Sequence, residues 1–142
     1  MAQVFDSTTV NSSNRSTRDY KDLDLDFGRN AVTNDVNKLT DVEAVKRSVR
    51  NLVLTNHYER PYNKYLGGDL ISQLFENMDP MTEYNISKNI RQALDNFEPR
   101  AIVTEIKTNA HHALNGINVT ITFHLKNDPN PQIVEVLLER VR

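Results

Sequence analysis

Two hydrophobic periods follow one another along this chain. Val42, Val45, Val49, Leu52 and Val53 recur at helical spacing and predict a helix running to about Leu54, opened by Thr40-Asp41-Val42-Glu43 in the form of a capping box. Asp69 precedes a short helical run with Leu70, Ile71, Leu74 and Phe75. Asp79-Pro80 then opens a third helix whose buried stripe is Ile86, Ile90, Ala93, Leu94 and Phe97. Pro99 disfavours helical geometry at Glu98, so this helix is expected to stop near Phe97. Beyond it the period drops to two. Ile117, Val119, Ile121, Phe123 and Leu125 alternate with Asn118, Thr120, Thr122 and His124, a strong strand signal. Segments 102 to about 107 and 133 to about 141 read as flanking strands, with turns at Asn115-Gly116 and Asp128-Pro129-Asn130-Pro131.

The start of the chain differs from both patterns. Between Ser7 and Asp19 only Val10 is apolar, so residues 1–20 are expected to form a flexible arm ahead of a single domain, 21–142. Asp22-Leu23-Asp24-Leu25-Asp26-Phe27 alternates and predicts a strand with Leu23, Leu25 and Phe27 on one face and a solvated aspartate face opposite. Residues 28–39 read as loop. The fold class expected is α+β: an N-terminal strand and three helices, then a C-terminal three-stranded antiparallel sheet.

Composition narrows the function classes. The 142 residues carry 17 Lys+Arg against 19 Asp+Glu, a net charge of -2, which gives none of the basic excess of a dedicated nucleic-acid binder. With no cysteine there is neither a disulfide framework nor a thiolate metal site. No secretory signal and no span of ~20 apolar residues is read, so a soluble protein that is intracellular when made is expected.

Candidate chemistry is sparse. The three aspartates at 22, 24 and 26 lack the Gly and Glu that an EF-hand loop places at its sixth and twelfth positions, which here hold Phe27 and Thr33. His111 and His112 are neighbours in a strand and point to opposite faces, a poor pair of joint ligands. Gly67-Gly68-Asp69 reads as a turn and a helix cap, since a carboxylate there would repel phosphate. Glu98-Pro99-Arg100 is the most informative triplet. In an extended segment Glu98 and Arg100 project from the same face. They form either an internal ion pair at a helix-to-strand corner or a docking element. A catalytic acid is disfavoured, because a nearby guanidinium lowers a carboxyl pKa whereas a glycosidase acid needs it raised.

The string from Asp69 to Pro80, Asp-Leu-Ile-Ser-Gln-Leu-Phe-Glu-Asn-Met-Asp-Pro, followed by Asn96-Phe97-Glu98-Pro99-Arg100, resembles the baseplate wedge family of contractile-tailed phages. That family has a type VI secretion relative and was once labelled a tail lysozyme. The likeness runs from about Asp41 to the C-terminus and includes Arg60-Pro61 and Gly67. Tyr58, Lys64, Leu66 and Ala101 depart from the usual pattern. The resemblance implies an architectural, non-enzymatic subunit of the virion tail baseplate, assembled in the host cytoplasm, with no cofactor, metal, nucleic acid or membrane. Its implied partners are the helical core bundle of the large wedge proteins, the tail sheath protein, and other baseplate and tail-tube subunits. The resemblance assigns core-bundle docking to Glu98, Pro99 and Arg100. As a pure docking element, Arg100 could become alanine without lowering the melting temperature by more than a few degrees. The last strand, through Ile133, Val134, Val136 and Leu138, is expected to receive a sheath strand by augmentation and so start sheath polymerisation. The alternative is a peptidoglycan-degrading tail lysozyme, which needs two carboxyls ~5–9.5 Å apart across a sugar cleft.

Overall fold

A computed structural model describes residues 20–76, 79–111 and 116–139. The elements run β1 (Lys21–Leu23), β2 (Lys38–Thr40), α1 (Asp41–Leu54), α2 (Leu70–Leu74), α3 (Pro80–Phe97), β3 (Ala101–His111), β4 (Gly116–Leu125) and β5 (Asp128–Glu139). The expected arm lies outside the described residues apart from Tyr20, as do His112, Asn115 and Val141.

The three C-terminal strands form an antiparallel sheet in the order β3-β4-β5, so the strongly alternating strand is the central one. Its inward residues Ile117, Val119, Ile121 and Phe123 are fully buried, and Val134, Val136 and Leu138 of β5 continue the same apolar face. Helix α3 packs on β3, and α1 packs on β5 and against α3. Val45, Val49 and Val53 of α1 and Ile86, Ile90 and Leu94 of α3 close the core over the sheet. Period-two and period-3.6 apolar faces thus meet as two layers. The opposite face of the sheet carries the half-buried Asn118, Thr120, Thr122 and His124, flanked by exposed Ile102, Ile133 and Leu137.

Several local expectations are corrected. Thr40 stands at the N-cap of α1 but makes no side-chain capping bond. Asp41 opens the helix instead: its amide donates to the Tyr20 carbonyl at 2.7 Å, and the Tyr20 amide donates back to Asp41 Oδ1 at 3.0 Å. Asp69 likewise makes no side-chain cap bond, and of the apolar residues around α2, Leu70 and Leu74 are buried while Ile71 and Phe75 are exposed. Segment 28–39 is not all loop, because β2 pairs antiparallel with β1 and Arg29 bridges Val36. The turn expected at Asp128–Pro131 lies within β5. A two-residue turn at Lys126-Asn127 makes the connection, and the register with β4 jumps from Phe123↔Gln132 to Leu125↔Asp128. Four positions of β5 there face two of β4, a bulge that accommodates Pro129 and Pro131 on an edge strand.

The largest correction concerns the polarity of segment 22–27. Only its first residues are in β1; Asp22 and Asp24 are turned toward the body, Asp26 stays exposed, and Leu23, Leu25 and Phe27 are all more than half exposed. Asp24 lies 3.4 Å from Arg47 Nη2, and Asp26 pairs with the same guanidinium. Asp22 reaches Arg100. Charge pairing, rather than apolar burial, fixes which side of this alternating segment faces inward.

Candidate functional site

The C-terminal end of α3 builds the site. The helix continues its ladder to Glu98, whose amide donates to the Leu94 carbonyl at 2.9 Å, and then leaves helical geometry at φ -128°, ψ 71°. The Ala101 amide closes a turn onto the Glu98 carbonyl at 3.1 Å. Glu98 and Arg100 therefore project together, as expected, but from a tight turn rather than an extended segment.

Within that turn Glu98 is inside the protein, with 3% of its surface exposed. Arg100 clasps it in a bidentate pair, Nε donating to Oε1 at 2.6 Å and Nη2 to Oε2 at 2.8 Å. The Ser48 hydroxyl, from the middle of α1, donates to Oε2 as well. The remaining terminal nitrogen of Arg100 donates to Asp22 Oδ2 at 3.2 Å, and the guanidinium lies 5.4 Å from the centre of the Tyr20 ring. One cation thus joins β1, the end of α3 and, through Glu98, the middle of α1. Pro99 is exposed, and Arg100 keeps one partly accessible side.

Burial alone would raise the Glu98 carboxyl. The hydrogen bonds from Arg100 and Ser48 outweigh it and hold the group below its ordinary 4.5. Arg100 is pushed up chiefly by its hydrogen bond to Glu98. An acid with a depressed pKa has lost its proton at neutral pH and cannot give one to a leaving group. The arrangement suits a fixed, charged corner.

The sign of the pH dependence follows. A carboxyl whose folded pKa lies below its unfolded one stabilises the fold fully above the unfolded value, and that contribution is lost as pH falls through the folded value. Asp26, held low by its hydrogen bond from Arg47, acts in the same direction. The melting temperature should therefore be level above about pH 5 and fall toward about pH 3. Glu98→Gln should show a shallower acid fall than the parent chain in thermal melts across that range.

Sequence reasoning singled out Glu98, Pro99 and Arg100 and passed over Ser48, Asp22 and Tyr20, which the structure gathers around the Glu98–Arg100 pair. Ser48 is a small polar residue on the partly buried side of α1, 50 positions from its partner, and no local spacing marks it. The other group of proposed residues lies on β5. Val134, Val136 and Leu138 are buried against the helices, while Ile133 is exposed, so three of these four side chains anchor the strand. Among the described residues no group of three or more His, Cys, Asp or Glu is arranged to hold a metal. No helix among them is long and apolar enough to cross a membrane.

Comparison with known proteins decides the family. The model of the family described as "Baseplate wedge protein gp25" matches residues 40–130, which span both long helices, the Glu98–Arg100 turn and most of the sheet. The chain belongs to this family. It is also similar to the baseplate wedge protein gp25 of Enterobacteria phage T4, with 28% identity over 120 residues, covering 82% of this chain and 86% of that protein. Two solved structures share the fold. One is a crystal structure of a Geobacter sulfurreducens protein described as a tail lysozyme, with a TM-score of 0.64 and 17% identity over 70% of this chain and 91% of that one. The other is the cryo-EM structure of the anti-feeding prophage baseplate, with a TM-score of 0.60 and 20% identity over 85% of this chain and 86% of that one. The chain is a structural baseplate subunit of a phage virion, and it interacts with other baseplate components.

Proposed function

We propose that this subunit is purely architectural and joins the wedge core to the contractile sheath. Pro99 and the accessible side of Arg100 dock on the helical core bundle of the large wedge proteins, with Glu98 behind them fixing the angle of the guanidinium. The open edge of β5 receives an extended segment of the tail sheath protein and starts sheath polymerisation. Assembly takes place in the host cytoplasm. The ionised, clasped state of Glu98 speaks against the tail lysozyme alternative.

The observation that carries the sheath reading is the construction of β5. It is an edge strand with alternate residues driven into the core and with Ile133 and Leu137 exposed. Soluble proteins usually guard such an edge with charge or cover it. Proline at Val136 is a poor probe, since that side chain is part of the core. Ile133→Lys combined with Leu137→Lys changes only exposed positions, and each should alter stability by no more than about 0.5 kcal/mol. The double variant is expected to enter baseplates normally but to leave them without sheath, as seen by negative-stain microscopy of assembly products. Sheaths of normal frequency and length on such baseplates would refute the augmentation reading.

A further inference from the structure

The segment between α1 and α2 is an ordered loop that spends its largest side chains on solvent. Its backbone is tied internally: the Tyr58 amide donates to the Lys64 carbonyl at 2.8 Å, Asn63 to Arg60 at 3.3 Å and Leu66 to Asn63 at 3.2 Å. Its ends are pinned where the Gly68 amide meets the Thr55 carbonyl at 3.2 Å. This is a compact Ω-loop rather than a slack connection. Yet Tyr58, Tyr62 and Tyr65 are 72%, 102% and 59% exposed. Tyr58 and Tyr65 tilt against each other with ring centres 6.4 Å apart, a contact that leaves most of each ring on solvent.

The charges around them are one-sided in what they leave available. Glu59 is spent inside the loop, its carboxylate accepting from the Asn56 amide at 2.9 Å. Lys64 lies over the Tyr65 ring, 5.0 Å from its centre, with no carboxylate partner among the described residues. Arg60 has none either. It faces a groove of about 550 Å³ whose one aspartate, Asp22, is taken by Arg100. On the other flank of the loop a second groove of about 270 Å³ runs beneath Tyr65. Asn89, Gln92 and Asn96 line it from one face of α3, and none of these amides has a hydrogen-bond partner among the described residues. Exposed tyrosines, an arginine with no carboxylate partner among the described residues and a row of unspent amides form the composition of a protein-binding surface, where Tyr and Arg are enriched and Tyr supplies contact area at low entropic cost.

We propose that loop 56–66 is a further docking surface of this chain, and that its occupant is a carboxylate-bearing segment of a neighbouring baseplate subunit. Arg60 and Lys64 meet the carboxylates, the tyrosines cover the apolar part of the segment, and the amide row of α3 bonds its main chain. Single-stranded nucleic acid could also stack on tyrosines. It is disfavoured by the net charge of -2 and by only two cationic Lys and Arg residues in the loop. The proposal rests on the chain being a baseplate subunit, and not on any role of Arg100 or β5.

The test uses the full chain in baseplates assembled from the co-expressed tail proteins of its own phage. A zero-length carbodiimide joins amines to carboxylates in direct contact. It is expected to link Lys64 to an Asp or Glu of a different baseplate subunit. Tyr62→Ser with Tyr65→Ser, and separately Arg60→Glu with Lys64→Glu, should keep the parent melting temperature and weaken incorporation about thirtyfold, the effect of losing one hot spot. Changing the linked carboxylate to lysine should rescue the Glu pair. Parent-level incorporation of both variants overturns the proposal. So does a Lys64 link only to another copy of this chain, or tight, salt-sensitive binding of a single-stranded oligonucleotide that the Glu pair abolishes. Arg100→Lys run in parallel reports on the core-bundle contact separately, so the two readings can fail independently.

Discussion

Replacing Arg100 with alanine is expected to destabilise the free chain by about 3 kcal/mol, at the low end of what breaking a buried pair costs because Arg100 keeps some exposure. For a chain of this size that is roughly a 10 °C drop in melting temperature. The reason is the carboxylate left behind. Glu98 is 3% exposed, and two of its three side-chain hydrogen bonds come from Arg100. Without the guanidinium it keeps only Ser48 and must either stay charged in a poorly solvated place or take up a proton. Asp22 and the Tyr20 ring also lose their contact, so β1 loosens. Arg100→Lys retains the charge but cannot reach both carboxylate oxygens and Asp22 with a planar fork, so an intermediate loss is expected. Glu98→Gln combined with Arg100→Ala should cost less than the sum of the two single changes, since the first removes the charge that the second strands. A parent-like melting temperature for Arg100→Ala would show that the pair contributes little to the fold. The sequence alone suggests that mild outcome, and the internal contacts of the guanidinium reverse the expectation. Loss of baseplate incorporation in this variant would therefore mix instability with docking, and Arg100→Lys is the cleaner probe of the interface.

Gly67→Ala should be nearly as costly, about 3 kcal/mol of combined backbone and steric strain. Gly67 has φ +117°, a conformation that side-chain-bearing residues rarely adopt. A Cβ there would run into the Thr55 carbonyl oxygen, and its carbonyl carbon would lie only 2.8 Å away. The obstacle is backbone at the C-cap of α1, so it cannot rotate aside. Gly68 is the control. A Cβ at that position would meet the Leu70 side chain at 3.3 Å, not backbone at clashing distance, and Gly68 does not share the positive φ. Thermal melts should therefore separate Gly67→Ala, down by roughly 10 °C, from a mildly affected Gly68→Ala. Limited proteolysis should find the 56–66 loop opened in the first variant alone. Equal melting temperatures for the two would mean that the loop yields without strain.

What the sequence discloses of this fold follows from what periodicity can encode. The valines of α1, the isoleucines of α3 and the alternation of β4 each announce both an element and its buried side, because apolar residues there face a large common core. The same alternation at residues 22–27 gives the period but misleads about the side. Two arginines distant in sequence draw Asp22 and Asp24 inward, and pairing between residues so far apart leaves no local trace. Asp128-Pro129-Asn130-Pro131 has turn chemistry, yet an edge strand can absorb prolines at a bulge, which moves the true turn to Lys126-Asn127. In the site, Glu98 and Arg100 are legible as a pair because they are neighbours on one turn. The burial of Glu98 is not, since it depends on Ser48 and Asp22 arriving from other elements.

The bulge at the start of β5 also sets a ruler for anything that pairs with this strand. Proline has no amide hydrogen to donate, and Pro129 and Pro131 stand where the register with β4 slips by two residues. An incoming strand finds neither donors nor an even spacing there, so its pairing has to begin near Gln132 and run toward Glu139. Eight residues at about 3.3 Å each make a platform of roughly 26 Å. The end nearest the Glu98–Arg100 corner is thereby closed to strand exchange: the Lys126 amide, in the turn before it, already donates to the Arg100 carbonyl at 3.2 Å. A segment added to β5 can take only one stretch of the edge, and it stays physically apart from the proposed docking corner at Glu98–Arg100.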